Sequence, residues 1–220
     1  MVAMDDPLLK ANLARTELIV VGLGNPGPEY SLTRHNLGYR ALDVFMKLEG
    51  LPEMSISWGK SLVQQVSVDG APVLLAKPTT YMNLSGVAVA SLLEVTGLSV
   101  NELLVIHDDM DLDLGRAKMK VGGGAAGHKG VEDIIARCGE EFTRIKIGIG
   151  KPPWEGEDAG VEWVLGEVGA EEEEVFLRVL PVVAKGIRKW VVDGPEAAMT
   201  WFNTKFKEEG EGKEVEGEEG

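Results

Sequence analysis

With a single cysteine, Cys138, the chain cannot build an intrachain disulfide framework. A lone thiol suits a reducing compartment, so the expected location is the cytoplasm. No apolar run approaches the ~20 residues that a membrane-spanning helix needs. Residues 1–16 hold Asp5 and Asp6 and no secretory apolar stretch, so neither export nor membrane contact is expected. Bases are also short, 22 Lys and Arg against 36 Asp and Glu, for a formal net charge of −14 that, taken whole, argues against a nucleic-acid partner. An enzyme nucleophile is missing: no Gly-x-Ser-x-Gly elbow occurs, and Cys138 falls on the apolar face of a helix, in the core. The three histidines, His35, His107 and His128, show no metal-ligand spacing, and no metal or cofactor is assigned.

The distribution of charge matters more than its total. Residues 153–174 hold nine acids and no base, and residues 205–220 carry −4; the remainder is within one charge of neutral. The acidity therefore reads as a solvated lead-in to a helix and a frayed tail, which leaves the body free to carry a local basic face. Arg116, Lys118, Lys120 and Lys129 are candidates for it, with Lys146 further on.

Apolar patterning places strands over 17–23, 103–106, 115–121 and 144–149, and helices over 36–48, 87–98, 131–138, 171–192 and 195–206. Residues 61–76 read as a hairpin turning at Asp69-Gly70. Strands alternating with helices, plus one hairpin, give an α/β fold: a single domain with a twisted mixed β-sheet flanked by α-helices. Its expected extent is 17–206, after a leader (1–16) that is poorly ordered or partly helical and before an acidic disordered tail (207–220).

Chemistry concentrates where apolar segments stop. After the first strand come Asn25, Tyr30, Arg34, His35 and Asn36; after the hairpin, Thr80, Tyr81, Met82 and Asn83; after the strand at 103–106, His107, Asp108, Asp109 and Asp111. Gly22-x-Gly24-x-x-Gly27 matches a dinucleotide fingerprint, but Pro26 and Pro28 postpone the helix, and the expected acid could only be Asp43, inside a helical stripe. Gly122–Gly130 imitates a phosphate loop, yet His128 stands where lysine is required. His107 continues a buried strand and reads as structural. His35, in a polar loop, suits a general base if a carboxylate fixes its tautomer; Asp108 and Asp111 are the carboxylates at hand. With no nucleophile, the simplest chemistry is activation of water, and Asn25 and Asn83 are placed to hold a carbonyl and its oxyanion.

Five motifs carry a specific resemblance: Gly-Leu-Gly-Asn-Pro-Gly-x-x-Tyr-x-x-Thr-Arg-His-Asn-x-Gly (22–38), Lys-Pro-x-x-Tyr-Met-Asn-x-Ser-Gly (77–86), His-Asp-Asp-Met-Asp-Leu (107–112), Gly-Gly-Gly-x-x-Gly-His (122–128) and Ile-Gly-Ile-Gly-Lys-Pro (147–152). In order and spacing over about 17–206, the chain resembles the bacterial-type peptidyl-tRNA hydrolases. The resemblance implies hydrolysis of the ester between a peptide and the 3′ ribose of tRNA, by water and without a covalent intermediate, metal or cofactor. It implies His35 as the base, Asp108 as its orienting carboxylate, and Asn25 and Asn83 on the peptide end and scissile carbonyl. Tyr30 and Tyr81 would line the tRNA side and Met82 would shape the pocket wall; beside what the resemblance implies, His128 and the cations Lys129 and Lys120 are this chain's own candidates for contact with substrate or tRNA. The implied partner is peptidyl-tRNA, bound by a cytoplasmic monomer and with no membrane contact.

The chain departs from the family where it has Lys129; many members have Asn there, so a donor and acceptor has become a donor only. Two other classes remain open at this point. A non-catalytic RNA-binding or adaptor protein on the same fold would not require His35, Asp108, Asn25 and Asn83 together. A nicotinamide-dependent oxidoreductase rests on Gly22–Gly27 alone.

Overall fold

A computed structural model describes the backbone of residues 7–211 and side chains through Lys207. The expectations for residues 1–6 and 212–220 lie outside the described residues. Seven strands form one mixed sheet: β1 (Leu18–Gly22), β2 (Ile56–Trp58), β3 (Ser61–Val68), β4 (Ala71–Pro78), β5 (Leu103–Asp109), β6 (Ala117–Val121) and β7 (Thr143–Gly148), in the order β2-β3-β4-β1-β5-β7-β6. The central strands β4, β1, β5 and β7 run parallel, and the antiparallel partners lie at the two edges. The hairpin expected at Asp69-Gly70 is β3–β4, with both turn residues at positive φ (50° and 90°), as an Asp-Gly hairpin turn requires.

The helices are α1 (Pro7–Leu13), α2 (Leu37–Leu48), α3 (Ser85–Thr96), α4 (Lys129–Cys138), α5 (Ala159–Leu165), α6 (Ala170–Asp193) and α7 (Pro195–Glu211). Where the parallel strands are covered on both faces their side chains form continuous apolar runs, as in Ile19, Val20 and Val21 or Leu103 to Ile106, and polar residues enter at the ends of β4 and β5 and along β7. One face packs Val20, Leu104 and Ile106 against α2, α6 and α7 through Phe45, Phe176, Trp190 and Phe202. The other packs Val21, Leu74 and Val105 against α1, α3 and α4 through Leu13, Leu92, Val131 and Ile134.

The leader contains helix α1, anchored by buried Leu13 and by the Gln65 amide on Asn12 O and Thr16 Oγ1. Three expectations change. The last helix does not stop at 206 but continues to Glu211. The acidic stretch 153–174 is more than a solvated lead-in, since it contains α5 and the start of α6. Cys138 is half-buried at the margin of the second core, and burial pushes its thiol up. Among the described residues no helix is long and apolar enough to cross a membrane.

One close approach decides where the site lies. A Cβ on Gly22 would fall 2.3 Å from Gly38 O, and one on Gly38 would fall 2.3 Å from Ile106 O. Only glycine lets the start of α2 sit directly on β1 and β5. The residues just before Gly38, among them His35, are thereby brought over the end of β5.

Candidate active site

The loops that leave β1, β4 and β5 at their C-terminal ends meet over a cleft of about 420 Å³, the usual place for a site in a parallel sheet. It is lined by His35, Asp108, Asn25, Tyr30, Tyr81, Met82, Asn83, His128 and Lys129, whereas Lys120 and the alternative carboxylate Asp111 lie outside it. Asn25, Tyr30 and His35 come from the loop after β1, Tyr81, Met82 and Asn83 from the loop after β4, and Asp108 from β5. His128 and Lys129 come from the glycine segment and the start of α4.

At the floor, His35 Nδ1 lies 2.9 Å from Asp108 Oδ1 and 3.1 Å from Oδ2, and His128 Nε2 lies 3.1 Å from Oδ1. Burial alone would raise the Asp108 carboxyl, but His35 and then His128 outweigh it and hold it well below the usual carboxylate range. A carboxylate only accepts, so both of these ring nitrogens carry protons. In neutral His35 the lone pair is then at Nε2, the position of a general base. Asp111, the alternative carboxylate, is exposed and paired with Lys151 at 3.4 Å.

The backbone N–H of Val131 donates to His128 Nδ1 at 3.3 Å, so His128 caps α4 with one ring nitrogen and holds Asp108 with the other. Expected among the substrate contacts, it has no ring nitrogen left to offer one. Its ring also packs between His35 and His107, with centroids 4.9 and 4.7 Å away. His107 lies inside β5, buried, with Nδ1–H donated to the Asp108 backbone carbonyl at 2.6 Å. Burial first, then His128, depresses its basicity and keeps it neutral.

His35, Asp108 and His128 each offer a ligand atom within 4.8 Å of one another, the metal-type group found among the described residues. The hydrogen bonds disfavour a cation there. Nδ1 of His35 and Nε2 of His128 are donors toward Asp108, and freeing a lone pair on His128 Nε2 would cost the cap of α4.

Asn25 is buried, with its amide oxygen accepting the Met82 N–H at 2.8 Å, which leaves its Nδ2 as a donor in the cleft. Asn36 holds Asn25 in place by accepting its backbone N–H at 2.8 Å and donating to its carbonyl at 3.0 Å. The sequence placed Asn36 in the polar loop without a role; the reciprocal amide bracket depends on a loop geometry that spacing does not reveal. Asn83 is exposed on the cleft rim, and Tyr30 and Tyr81 meet edge to face with centroids 6.4 Å apart. The opposite wall is α5, through Gly160, Val161, Val164 and Leu165. It went unrecognised because seven residues, opening on Ala159-Gly160, carry too little periodic signal.

The basic face lies beside the cleft. Lys118 pairs in register with Lys146, and Lys120 with Arg144, on the β6–β7 edge. Partial burial first, then Arg144, Lys146 and Lys118, lowers the Lys120 ammonium. Arg144 is buried and donates to Gly124 O at 2.8 Å, so it braces the glycine segment, while Lys146 is paired with Asp109. Lys129 is exposed and its Nζ lies 3.0 Å from Glu132.

Residues 19–210 match the family model described as peptidyl-tRNA hydrolase. The peptidyl-tRNA hydrolase of Syntrophomonas wolfei is 39% identical over 186 residues, 84% of this chain and 99% of that protein. The peptidyl-tRNA hydrolase of Aquifex aeolicus is 41% identical over 189 residues, covering 84% of this chain and 95% of that one. The crystal structure of peptidyl-tRNA hydrolase from Acinetobacter baumannii superposes with a TM-score of 0.79 at 30% identity, over 86% of this chain and 95% of that one.

Proposed function

We infer how the cleft works from the premise that this chain belongs to the peptidyl-tRNA hydrolase family and is a hydrolase acting on peptidyl-tRNA. His35 Nε2 takes a proton from a water molecule as that water attacks the ester carbonyl that joins the peptide to the 3′ ribose. Asp108 holds the ring through Nδ1–H and balances the imidazolium that forms. The Asn25 amide donates to the developing oxyanion, with Asn83 on the rim beside it. The oxyanion collapses, the C–O bond to the ribose breaks, and the proton on His35 passes to the departing 3′ oxygen. No enzyme nucleophile is needed. His128 acts through Asp108, and Met82 carries the N–H that orients Asn25.

The observation that carries this reading is the His35–Asp108 pair in a cleft that also presents an unused amide donor from Asn25. A non-catalytic adaptor would not require His35, Asp108 and Asn25 together, so their convergence in one cleft favours the enzyme. The reading is tested by comparing N-acetylated aminoacyl-tRNA with its free-amine form. Rapid release of tRNA from the blocked form alone is expected, and equal rates would overturn the assignment of a peptide-end site.

Tyr30 and Tyr81 offer ring faces to the tRNA end, and the Lys118–Lys120 edge with Lys129 offers cations to phosphate. Lys129→Gln is expected to flatten the dependence of log Kd on log salt by about one phosphate contact. The Glu132 pairing sets that as the upper bound, and an unchanged slope would remove Lys129 from the interface. A cytoplasmic monomer remains the proposed state, since one chain contains every group the mechanism uses and its substrate comes from ribosomes.

A further inference from the structure

Arg34 touches no reacting atom in the mechanism above, yet it is only 7% exposed. Its Nε and Nη2 donate to the two carboxylate oxygens of Glu172 on α6, at 2.8 and 2.6 Å. Its Nη1 donates to Trp163 O at 3.2 Å, and its guanidinium lies 3.6 Å from the centre of the Trp163 ring on α5. The backbone runs with it: Arg34 N–H donates to Gly166 O at 3.1 Å, Val168 N–H to Leu32 O at 2.8 Å, and Thr33 bridges Glu167. A Cβ on Gly166 would come 2.7 Å from Arg34 Nη1, so the end of α5 is shaped to the guanidinium. Burial raises the Glu172 carboxyl, but Arg34 and the Gly169 N–H outweigh it and hold it ionised.

Seven residues do not hold a helix by themselves in water. What keeps α5 in place is the stack of Trp163 on Arg34, the bond from Trp163 Nε1 to Gly150 O at 2.9 Å, and the strand-like contacts just named. Arg34 and His35 are consecutive in one short turn, Arg34–Asn36. The wall of the cleft and the base are therefore tied to the same three residues.

We propose that Arg34 is a positioning residue of this reaction: its guanidinium clasps α5 and α6 and so sets the distance between the base His35 and the apolar wall that receives the peptide. The proposal rests on the reading that His35 is the base. Lysine could supply the charge, but neither the bidentate fork on Glu172 nor the planar face on Trp163. With the clasp loosened, Val161, Val164 and Leu165 no longer hold the peptide at a fixed distance from Nε2, and misplacement by an ångström costs up to about 10²-fold.

The experiment is Arg34→Lys in the full chain, assayed for kcat and KM with N-acetylated aminoacyl-tRNA and with a tripeptidyl-tRNA, alongside hydrogen exchange. KM for the tripeptidyl-tRNA is expected to rise about tenfold and kcat to fall less. Amides of 159–166 should exchange faster while those of α4 keep wild-type protection. A merely structural Arg34 would lower thermal stability and leave both KM and the 159–166 protection at wild-type values, which would overturn the proposal. Should Arg34→Lys fail to fold, Trp163→Leu removes the stack and keeps the Glu172 pair; the same rise in KM is expected, and a wild-type KM would overturn it. An active His35→Ala would defeat the mechanism itself, whereas wild-type KM in both clasp variants with an inactive His35→Ala defeats only the clasp.

Discussion

His35→Ala is expected to lower kcat for peptidyl-tRNA hydrolysis by about 10²–10⁴-fold, the range that a well-placed general base contributes. Single-turnover hydrolysis of a tripeptidyl-tRNA measures it, with binding of the same substrate measured separately. KM should move little. The groups that would hold the peptide and tRNA, Asn25, Tyr30, Tyr81 and α5, are fixed by other bonds, and Asn25 in particular is held by Met82 and Asn36. His35 is 7% exposed and, among the described residues, its side chain hydrogen-bonds to Asp108, so its removal leaves a small cavity at the cleft floor while Asp108 keeps its bond to His128. Among the described residues that line the cleft there is no serine, cysteine or second free imidazole to take over. His128 has both nitrogens engaged and His107 is buried beneath it. A variant within tenfold of wild type would remove His35 from the chemistry.

Asp108→Asn is expected to cost about 10³–10⁴-fold, the scale seen when a His–Asp pair loses the right tautomer. The substitution keeps shape and places an N–H₂ against a ring nitrogen that must also carry a proton. His35 then does better with Nδ1 as acceptor and Nε2 protonated, which removes the lone pair from the cleft. The imidazolium formed in the reaction also loses the charge beside it. Stability changes with a definite sign. A carboxyl whose folded pKa is depressed contributes stability that is complete above the ordinary value of ~3.9 and is lost as the pH falls through the folded value. Acid unfolding followed by tryptophan fluorescence should therefore show less pH dependence in Asp108→Asn than in the wild type. Normal kcat with normal acid unfolding would separate Asp108 from His35.

Much of this was legible before any coordinates. Asp69-Gly70 between two apolar runs needs no tertiary information, because the turn itself demands positive φ. The alternation of apolar runs with helical stripes located the central strands, since strands covered on both faces must be apolar. Two short elements escaped. Strand β2 has three residues, and α5 has seven with Glu162 among them, so neither repeats its pattern long enough to be read. The helix at the chain's end was cut short at 206 because Glu and Gly imitate a frayed tail, although Pro195–Glu211 form one helix. The acidic segment 153–174 misled in the same way: Glu172 and Glu173 are bound by Arg34 and Arg40, partners 138 and 133 residues away.

The site divides along the same line. The sequence by itself determined which groups are available: a loop histidine with two candidate carboxylates, Asp108 and Asp111, two amides, no Gly-x-Ser-x-Gly elbow, and five motifs in one family's order. Residue types and their neighbours are local facts, and chemistry of this kind is a local property. Only the tertiary structure decided which groups meet and in what protonation state. Gly22 and Gly38 bring His35 over β5, the α4 cap and Asp108 consume both nitrogens of His128, and Arg34 reaches across to Trp163 and Glu172 instead of facing substrate. Each depends on close approach between segments far apart in sequence, and a hydrogen bond or a stacked ring is set by separations in space that residue spacing does not encode.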